Sequence, residues 1–335
     1  MRREFVELAR CPVCHSEGEL ALDVASEDGR EVRQGGLRCR HCGATRRIQG
    51  GIVDLMPDSK PDFVEREAAG LELFTKEMRF KGWGREEILS LPHREEGYWF
   101  AQLRAIQQTF ANKKLDFQPG ERVLDVGSNT CWASAMFAEH ELEAVALDIT
   151  DIELQGLATA DWWFEGKGVY FERVLGLMFD VPLASGAFDY VWCCQVLHHN
   201  HRENLWQTMR ELYRVLKPGG RLIVVNEPVR SLRTPELRPG SEVEQYGGHE
   251  HVYLRRSYVR AARQAGFGVE LVGPWIHPTF VGAPYAIRAE HTIFEGFRAA
   301  ARHAVRRSKL ATRARLAWKN YVSGTATYLI GTKPV

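Results

Sequence analysis

The 335-residue chain has no uninterrupted apolar run near the roughly 20 residues that cross a bilayer. Its start, Met1-Arg2-Arg3-Glu4-Phe5, lacks the apolar stretch of a secretory signal. The most apolar late segment, Leu271 to Ile287, is broken by prolines and His277. An excess of one charge is missing too: 44 lysines and arginines face 43 aspartates and glutamates. No whole-molecule field therefore argues for nucleic acid or an acidic membrane, and any such partner must be read from a local patch. Nor is there an even set of cysteines for a disulfide framework, since the chain has seven. These absences set the expectation of a soluble, cytoplasmic protein in a reducing compartment. The length leaves room for one large domain and a smaller one.

Four cysteines fall into Cys11-Pro12-Val13-Cys14 and Cys39-Arg40-His41-Cys42, a C-x2-C-x24-C-x2-C pattern. Each pair has the spacing of a turn whose two thiolates meet one tetrahedral Zn²⁺. Leu20 to Val24 and Val32 to Leu37, parted by Glu27-Asp28-Gly29, read as a hairpin between the pairs. A four-thiolate site has no open position, so this metal is expected to hold the fold and do no chemistry. His15 and His41 are read as surface residues, and the five arginines from Arg33 to Arg47 as a solvated face or a phosphate contact. Cys131, Cys193 and Cys194 sit in apolar surroundings and read as small core residues.

Residues 57–118 read as linker and then helix, with Trp99, Leu103, Ile106 and Phe110 recurring at helical spacing on a face packed against the next domain. Next comes Val123-Leu124-Asp125-Val126-Gly127, a short buried strand running into a tight turn. Twenty-one residues after Gly127, Ala144-Val145-Ala146-Leu147 ends in Asp148. A strand, a glycine turn and an acid at the next strand tip are the parts of a nucleotide pocket. Further strands, Phe188 to Cys194 and Arg221 to Asn226, flank the helical Asn204 to Leu216. The alternation predicts a mostly parallel sheet covered on both faces, with ligands at the strands' carboxyl ends. A dinucleotide dehydrogenase would need G-x-G-x-x-G, and positions 129 and 132 are Asn and Trp.

Four blocks in order carry a resemblance over residues 119–335. They are the Val-Leu-Asp-Val-Gly turn, the acid after the second strand, Phe188-Asp189 leading to Val196-Leu197-His198-His199, and Glu211-Leu212-Tyr213-Arg214-Val215-Leu216-Lys217-Pro218-Gly219-Gly220. In these the chain resembles the class I S-adenosylmethionine-dependent methyltransferases of small acceptors. The resemblance implies a Rossmann-like seven-stranded α/β sheet with helices on both faces, preceded by the zinc-ribbon β domain at 1–56. It implies S-adenosyl-L-methionine contacts from Asp125, Gly127, Ser128, Asn129, Thr130, Asp148, Ile149, Phe179, Asp180, Cys194 and Gln195. Asp125 would order the loop and Asp148 accept the ribose hydroxyls. Only the first glycine of the family's G-x-G-x-G is present, with Asn129 and Cys131 at the other two positions. Asparagine tolerates a left-handed backbone, so the turn is expected to persist there. Where the family usually has an acid for the adenine amine the chain reads Leu177, and Asp180 is the substitute.

His198, His199 and His201 follow the fourth strand of this core, and His249 and His251 lie in a later loop. His199, His251 and His198 are the candidate general bases, because a neutral imidazole near pH 7 takes a proton from an attacking hydroxyl or amine. Shaping of the loops by hydrogen bonds is the alternative, and a divalent metal held by the histidines is a third reading. Insertions at 228–250 and 275–323 are expected to build an acceptor lid. Within the second, the basic run from Arg298 to Lys319 reads as a packed helix or a contact for RNA, an anionic surface or a phosphorylated or carboxylated acceptor. The expected function is methyl transfer to oxygen or nitrogen of a small-molecule or glycan-like acceptor. RNA methylation and a non-catalytic binding protein of the same fold are the alternatives.

Overall fold

The computed structural model describes residues 1–94, 97–231, 236, 242–248, 250–272 and 326–335. The expected insertion at 275–323 and its basic run lie outside these residues. The centre of the fold is a row of seven strands in the order β7 (Glu172–Leu175), β6 (Glu143–Asp148), β5 (Arg122–Val126), β8 (Phe188–Cys194), β9 (Leu216–Pro228), β11 (Ala326–Thr332) and β10 (Gly268–Val272). The first five run parallel; β11 is antiparallel to β9 and to β10.

Why these strands are apolar on both sides is visible residue by residue. Leu124, Val126, Val145, Leu147, Val191, Leu222 and Val224 enter one core, while Val123, Ala144, Ala146, Tyr190, Trp192, Ile223 and Val225 enter the other. Alternation along a strand sends neighbours to opposite faces, and both faces here are covered. One cover is α6 (Arg202–Val215) with α8 (Arg255–Ala265), through Leu205, Met209, Leu212, Tyr258 and Ala262. The other is α3 (Gly97–Phe110), α4 (Trp132–Glu139) and α5 (Ala160–Lys167), through Ile106, Phe137, Trp163 and Phe164. Each fully buried large side chain contributes roughly 1.5–3 kcal/mol.

The N-terminal ribbon adds four more strands. β1 (Leu20–Glu27), β2 (Val32–Cys39) and β3 (Thr45–Gln49) form an antiparallel meander, and β4 (Ile52–Asp54) leaves it to pair in parallel with β7, Val53 opposite Val174. The result is one eleven-stranded sheet where seven core strands were expected. The outer edge of β7 would otherwise present unpaired backbone groups, and β4 satisfies them.

A charged network reinforces this seam. The fully buried Glu31 carboxylate accepts from Arg173 and from Arg33 Nη1 (2.6 Å), and the two arginines share Asp161 at 2.8–3.1 Å. Burial alone would raise the Glu31 carboxyl, yet the cations beside it, Arg173 foremost, hold it down at about 2. Gly51 must be glycine here. Its φ is +81°, and a Cβ would stand 2.2 Å from Arg173 Nη2 and 2.4 Å from Glu31 Oε1.

Candidate functional sites: a four-thiolate cluster and a clamped turn

The four ribbon cysteines meet. Cys11 Sγ lies 3.7 Å from Cys42 Sγ, Cys14 Sγ lies 3.7 Å from Cys39 Sγ, and all four sulfurs fall within 4.8 Å of one another. Sulfurs about 2.3 Å from a shared ion in a tetrahedron stand about 3.8 Å apart, so the separations fit a tetrahedral metal. Two matching turns aim them. His15 N donates to Cys11 O (2.9 Å) and Gly43 N to Cys39 O (3.0 Å), with His15 and Gly43 both left-handed at φ 59° and 79°. His15 and His41 are exposed, as read from sequence. Among the described residues this is the one cluster with metal-holding geometry, so the histidine-metal reading finds no support there.

At the carboxyl end of β5 the chain takes the left-handed path that sequence suggested: φ is 68° at Gly127, 52° at Asn129 and 58° at Cys131. The glycine is required by a neighbour as well, since a Cβ on Gly127 would meet Val196 Cγ2 at 2.3 Å. Two carboxylates hold the turn. Asp125 Oδ2 accepts from Ser134 N (3.1 Å) and Ser134 Oγ (2.7 Å), tying β5 to the first turn of α4. Asp148 Oδ2 accepts from Asn129 N (2.8 Å), while its Oδ1 takes Ile149 N (2.8 Å) and Thr150 N (3.1 Å). Ser128 is buried in the turn and its carbonyl accepts Cys131 N at 2.8 Å. Thr130 gives its carbonyl to Trp163 Nε1 at 2.7 Å, while its buried Oγ1 has no hydrogen-bond partner. Burial is the main cause that pushes Asp125 up to about 7; the Ser134 bonds oppose it and nearby Asp148 adds to it. Burial raises Asp148 too, against its backbone hydrogen bonds.

Beside Asp148 lies an apolar wall. Leu177, Met56 and Val64 cluster there, packed by Phe63, Ile149 and Phe179. Val64 and Phe63 come from α1 (Asp62–Phe74), so a segment read as linker and helix contributes to the site. Asp180, expected to replace the missing adenine acid, is engaged from the ribbon: Arg10 Nη2 lies 2.7 Å from its Oδ1 and His15 Nε2 3.4 Å from its Oδ2. That carboxylate serves the ribbon contact.

Cys194 and Gln195, at the end of β8, meet a residue that sequence did not single out. Gln102 of α3, almost fully buried, donates from Nε2 to Gln195 Oε1 (2.9 Å). Its own Oε1 accepts from Cys194 Sγ (2.7 Å) and from Asn226 Nδ2 (3.0 Å) at the end of β9. Gln195 and Asn226 are both left-handed, at φ 54° and 51°. Local backbone strain at two adjacent strand tips, held by one buried amide, marks an organised site. Cys131 and Cys193 are fully buried, in keeping with small core residues.

The three candidate bases divide into different chemical roles. Glu227, fully buried at the end of β9, accepts from the backbone N–H groups of Val196, Leu197 and His198 at 2.7–3.1 Å and from His198 Nδ1 at 2.9 Å. In the neutral tautomer that donates Nδ1–H to Glu227, the basic nitrogen of His198 is Nε2. His199 is paired through Nδ1 with Glu67 of α1. Burial works against its charged form, but Glu67 outweighs it and raises the imidazole to about 9. The Glu67 carboxylate thus favours the charged form of this imidazole. His251 N donates to His198 O (2.8 Å), and its ring stands 4.8 Å from that of His201.

Comparison with known proteins meets this geometry at the sheet. Residues 124–224, from β5 to β9, match the model of a methyltransferase domain. Over 185 residues the chain is 30% identical to the biotin biosynthesis bifunctional protein BioHC of Cellvibrio japonicus, covering 50% of this chain and 32% of that protein. Over 112 residues it is 33% identical to demethylmenaquinone methyltransferase of Corynebacterium glutamicum, covering 33% of this chain and 44% of that one. The chain thus spans less than half the length of these curated relatives. A solved phosphoethanolamine N-methyltransferase 2 of Haemonchus contortus shares the fold at 14% identity and a TM-score of 0.52, over 87% of this chain and 63% of that one. From the strands that build the clamped turn through to the Lys217–Gly220 block, the chain therefore matches a methyltransferase domain and is similar to curated methyltransferases.

Proposed function

We propose that the protein transfers a methyl group from S-adenosyl-L-methionine to an oxygen or nitrogen of a small-molecule or glycan-like acceptor. In this reading residues 1–56 are a structural zinc ribbon, 57–118 pack a helical segment on the core, and 119–335 form the catalytic domain. The observation that carries it is the left-handed turn Gly127–Cys131, clamped by Asp125 and Asp148 at adjacent strand tips. The residues fit the donor. Two buried carboxyls raised together favour a cationic ligand, whose charge relieves their desolvation. The unmet Thr130 hydroxyl lies in the same turn, and Ile149 and Phe179 offer an apolar wall to a nucleobase. The bound donor supplies an electrophilic methyl on sulfur.

The chain's own work is positioning, exclusion of water and proton removal. Asp148 holds ribose hydroxyls, and Gln102 fixes the strand-tip segment at Cys194 and Gln195. His198, oriented by Glu227, takes the acceptor's proton on Nε2. His199, kept charged by Glu67, orients an acceptor oxygen as a donor. His251 supports the His198 backbone. Relatives named for small acceptors support this acceptor class.

Calorimetric titration with S-adenosylhomocysteine is expected to give saturable binding that Asp148→Ala weakens at least about tenfold, as loss of hydrogen bonds to a charged group costs about 1.5–3 kcal/mol; a wild type that never saturates contradicts the reading. Metal analysis is expected to find about one zinc per chain, bound with loss of thiol protons; a value far below one removes the structural-zinc assignment. The His199 imidazole, followed by NMR, titrates near 9 and falls by well over a unit in Glu67→Gln. Because its folded value exceeds the ordinary 6.5, its contribution to stability is complete below about 6.5 and is lost as pH rises through about 9. Urea unfolding at pH 6 and pH 10 reads that loss, and equal pH dependence in wild type and Glu67→Gln would refute it.

A further inference from the structure

A cavity of about 520 Å³ is lined by Arg202, Arg230, Leu254, Arg256, Ser257 and Arg260, the first of which follows His201 in the chain. Its volume lies in the range of small-molecule sites, roughly 300–1,000 Å³. None of its lining residues belongs to the clamped turn, so it is separate from the cofactor region. Three stretches of chain bring the arginines together. Arg202 opens α6 directly after His201, Arg230 lies just beyond the end of β9, and Arg256 and Arg260 stand on the first turns of α8. A second hollow continues along α8, sharing Arg256 and Arg260 and adding Arg263.

Among the described residues Glu236 meets one side of this cluster: it pairs with Arg202, lies 3.9 Å from Arg230 Nη2, and stands 3.8 Å from His251 Nδ1. Arg256, Arg260 and Arg263 have no ion-pair partner among the described residues. A run of arginines at i, i+4 and i+7 on an exposed helix face is ordinary by itself, because Tyr258, Ala261 and Ala262 bury the opposite face. What the helix alone does not require is that Arg202 and Arg230, from two other segments, converge on the same hollow. Gathering like charges in a concavity is unfavourable unless an anion offsets it, and guanidinium groups match a phosphate's oxygens in paired hydrogen bonds. Ser257 adds a hydroxyl to the wall.

The same backbone builds the cavity and the histidine site. Arg230 N donates to Tyr253 O (3.0 Å), Tyr253 OH donates to Asn200 O (2.6 Å), and His251 N donates to His198 O (2.8 Å). We propose that this arginine-lined cavity binds a phosphate group, and that it holds the phosphate end of a phosphorylated small-molecule acceptor whose other end reaches His198. Only the second half rests on the methyl-transfer reading; the anion site stands on binding alone. A hollow of this volume suits one phosphate-bearing molecule better than a polynucleotide track.

The test uses the full chain, with inorganic phosphate titrated calorimetrically in a buffer of non-binding anions. Three proteins are compared: wild type, Arg256→Gln/Arg260→Gln, and Arg38→Gln/Arg47→Gln, which removes equal charge from the exposed ribbon face. Wild type is expected to saturate, the first variant to bind at least about tenfold more weakly, and the ribbon variant to match wild type. S-adenosylhomocysteine affinity should be equal in all three. Absence of saturable phosphate binding by wild type, or equal weakening by both variants, overturns the proposal. So does a short single-stranded RNA that binds with steep salt dependence, is lost in the first variant and is not displaced by phosphate. Phosphate binding without S-adenosylhomocysteine binding would leave the anion site standing and sink the methyltransferase reading instead.

Discussion

The arrangement depends on two carboxylates held at adjacent strand tips. Asp125 fastens β5 to α4 through Ser134, and Asp148 fastens the end of β6 to Asn129. Between them the chain follows a left-handed path through Asn129 and Cys131, where an ordinary side chain costs roughly 1–2 kcal/mol per residue. That strain persists because both ends are tied down and the interior is packed: Cys131 is fully buried and Gly127 abuts Val196. The two non-glycine positions of the turn are therefore compatible with its left-handed path. Burial is the main cause that raises both acids.

A second constraint works at a distance. The ribbon is continuous with the catalytic sheet through β4 and β7, and the Glu31, Arg33, Arg173 and Asp161 network fills the seam. Arg10 engages Asp180 and Glu211, so the knuckle end also grips the core near Leu177. A metal held by the four thiolates would consequently order one border of the proposed cofactor region.

What sequence revealed was local. The two cysteine pairs, the Val123–Gly127 turn and the acid at Asp148 are written in short spacings, and the strands show as apolar runs because both faces of the sheet are covered. Tolerance of Asn129 for a left-handed turn was legible for the same reason. The partners that define the site were not legible, since each comes from far along the chain: Gln102 to Gln195, Glu67 to His199, Arg10 to Asp180. The grip of Glu227 on the His198 loop likewise needed the fold. Such pairs have no periodicity, and a polar residue in a helix looks the same whether it faces water or a strand tip. Glu67 also raises the His199 imidazole, which sequence could not show.

Methyl transfer at this site requires that Asp148 serve a nucleoside. An experimental structure of the full chain with S-adenosylhomocysteine tests that most directly. It should place both ribose hydroxyls about 3 Å from the Asp148 carboxylate, with the turn Gly127–Cys131 in its present left-handed form. A ribose held elsewhere, or a turn that must unwind to admit the nucleoside, would contradict it.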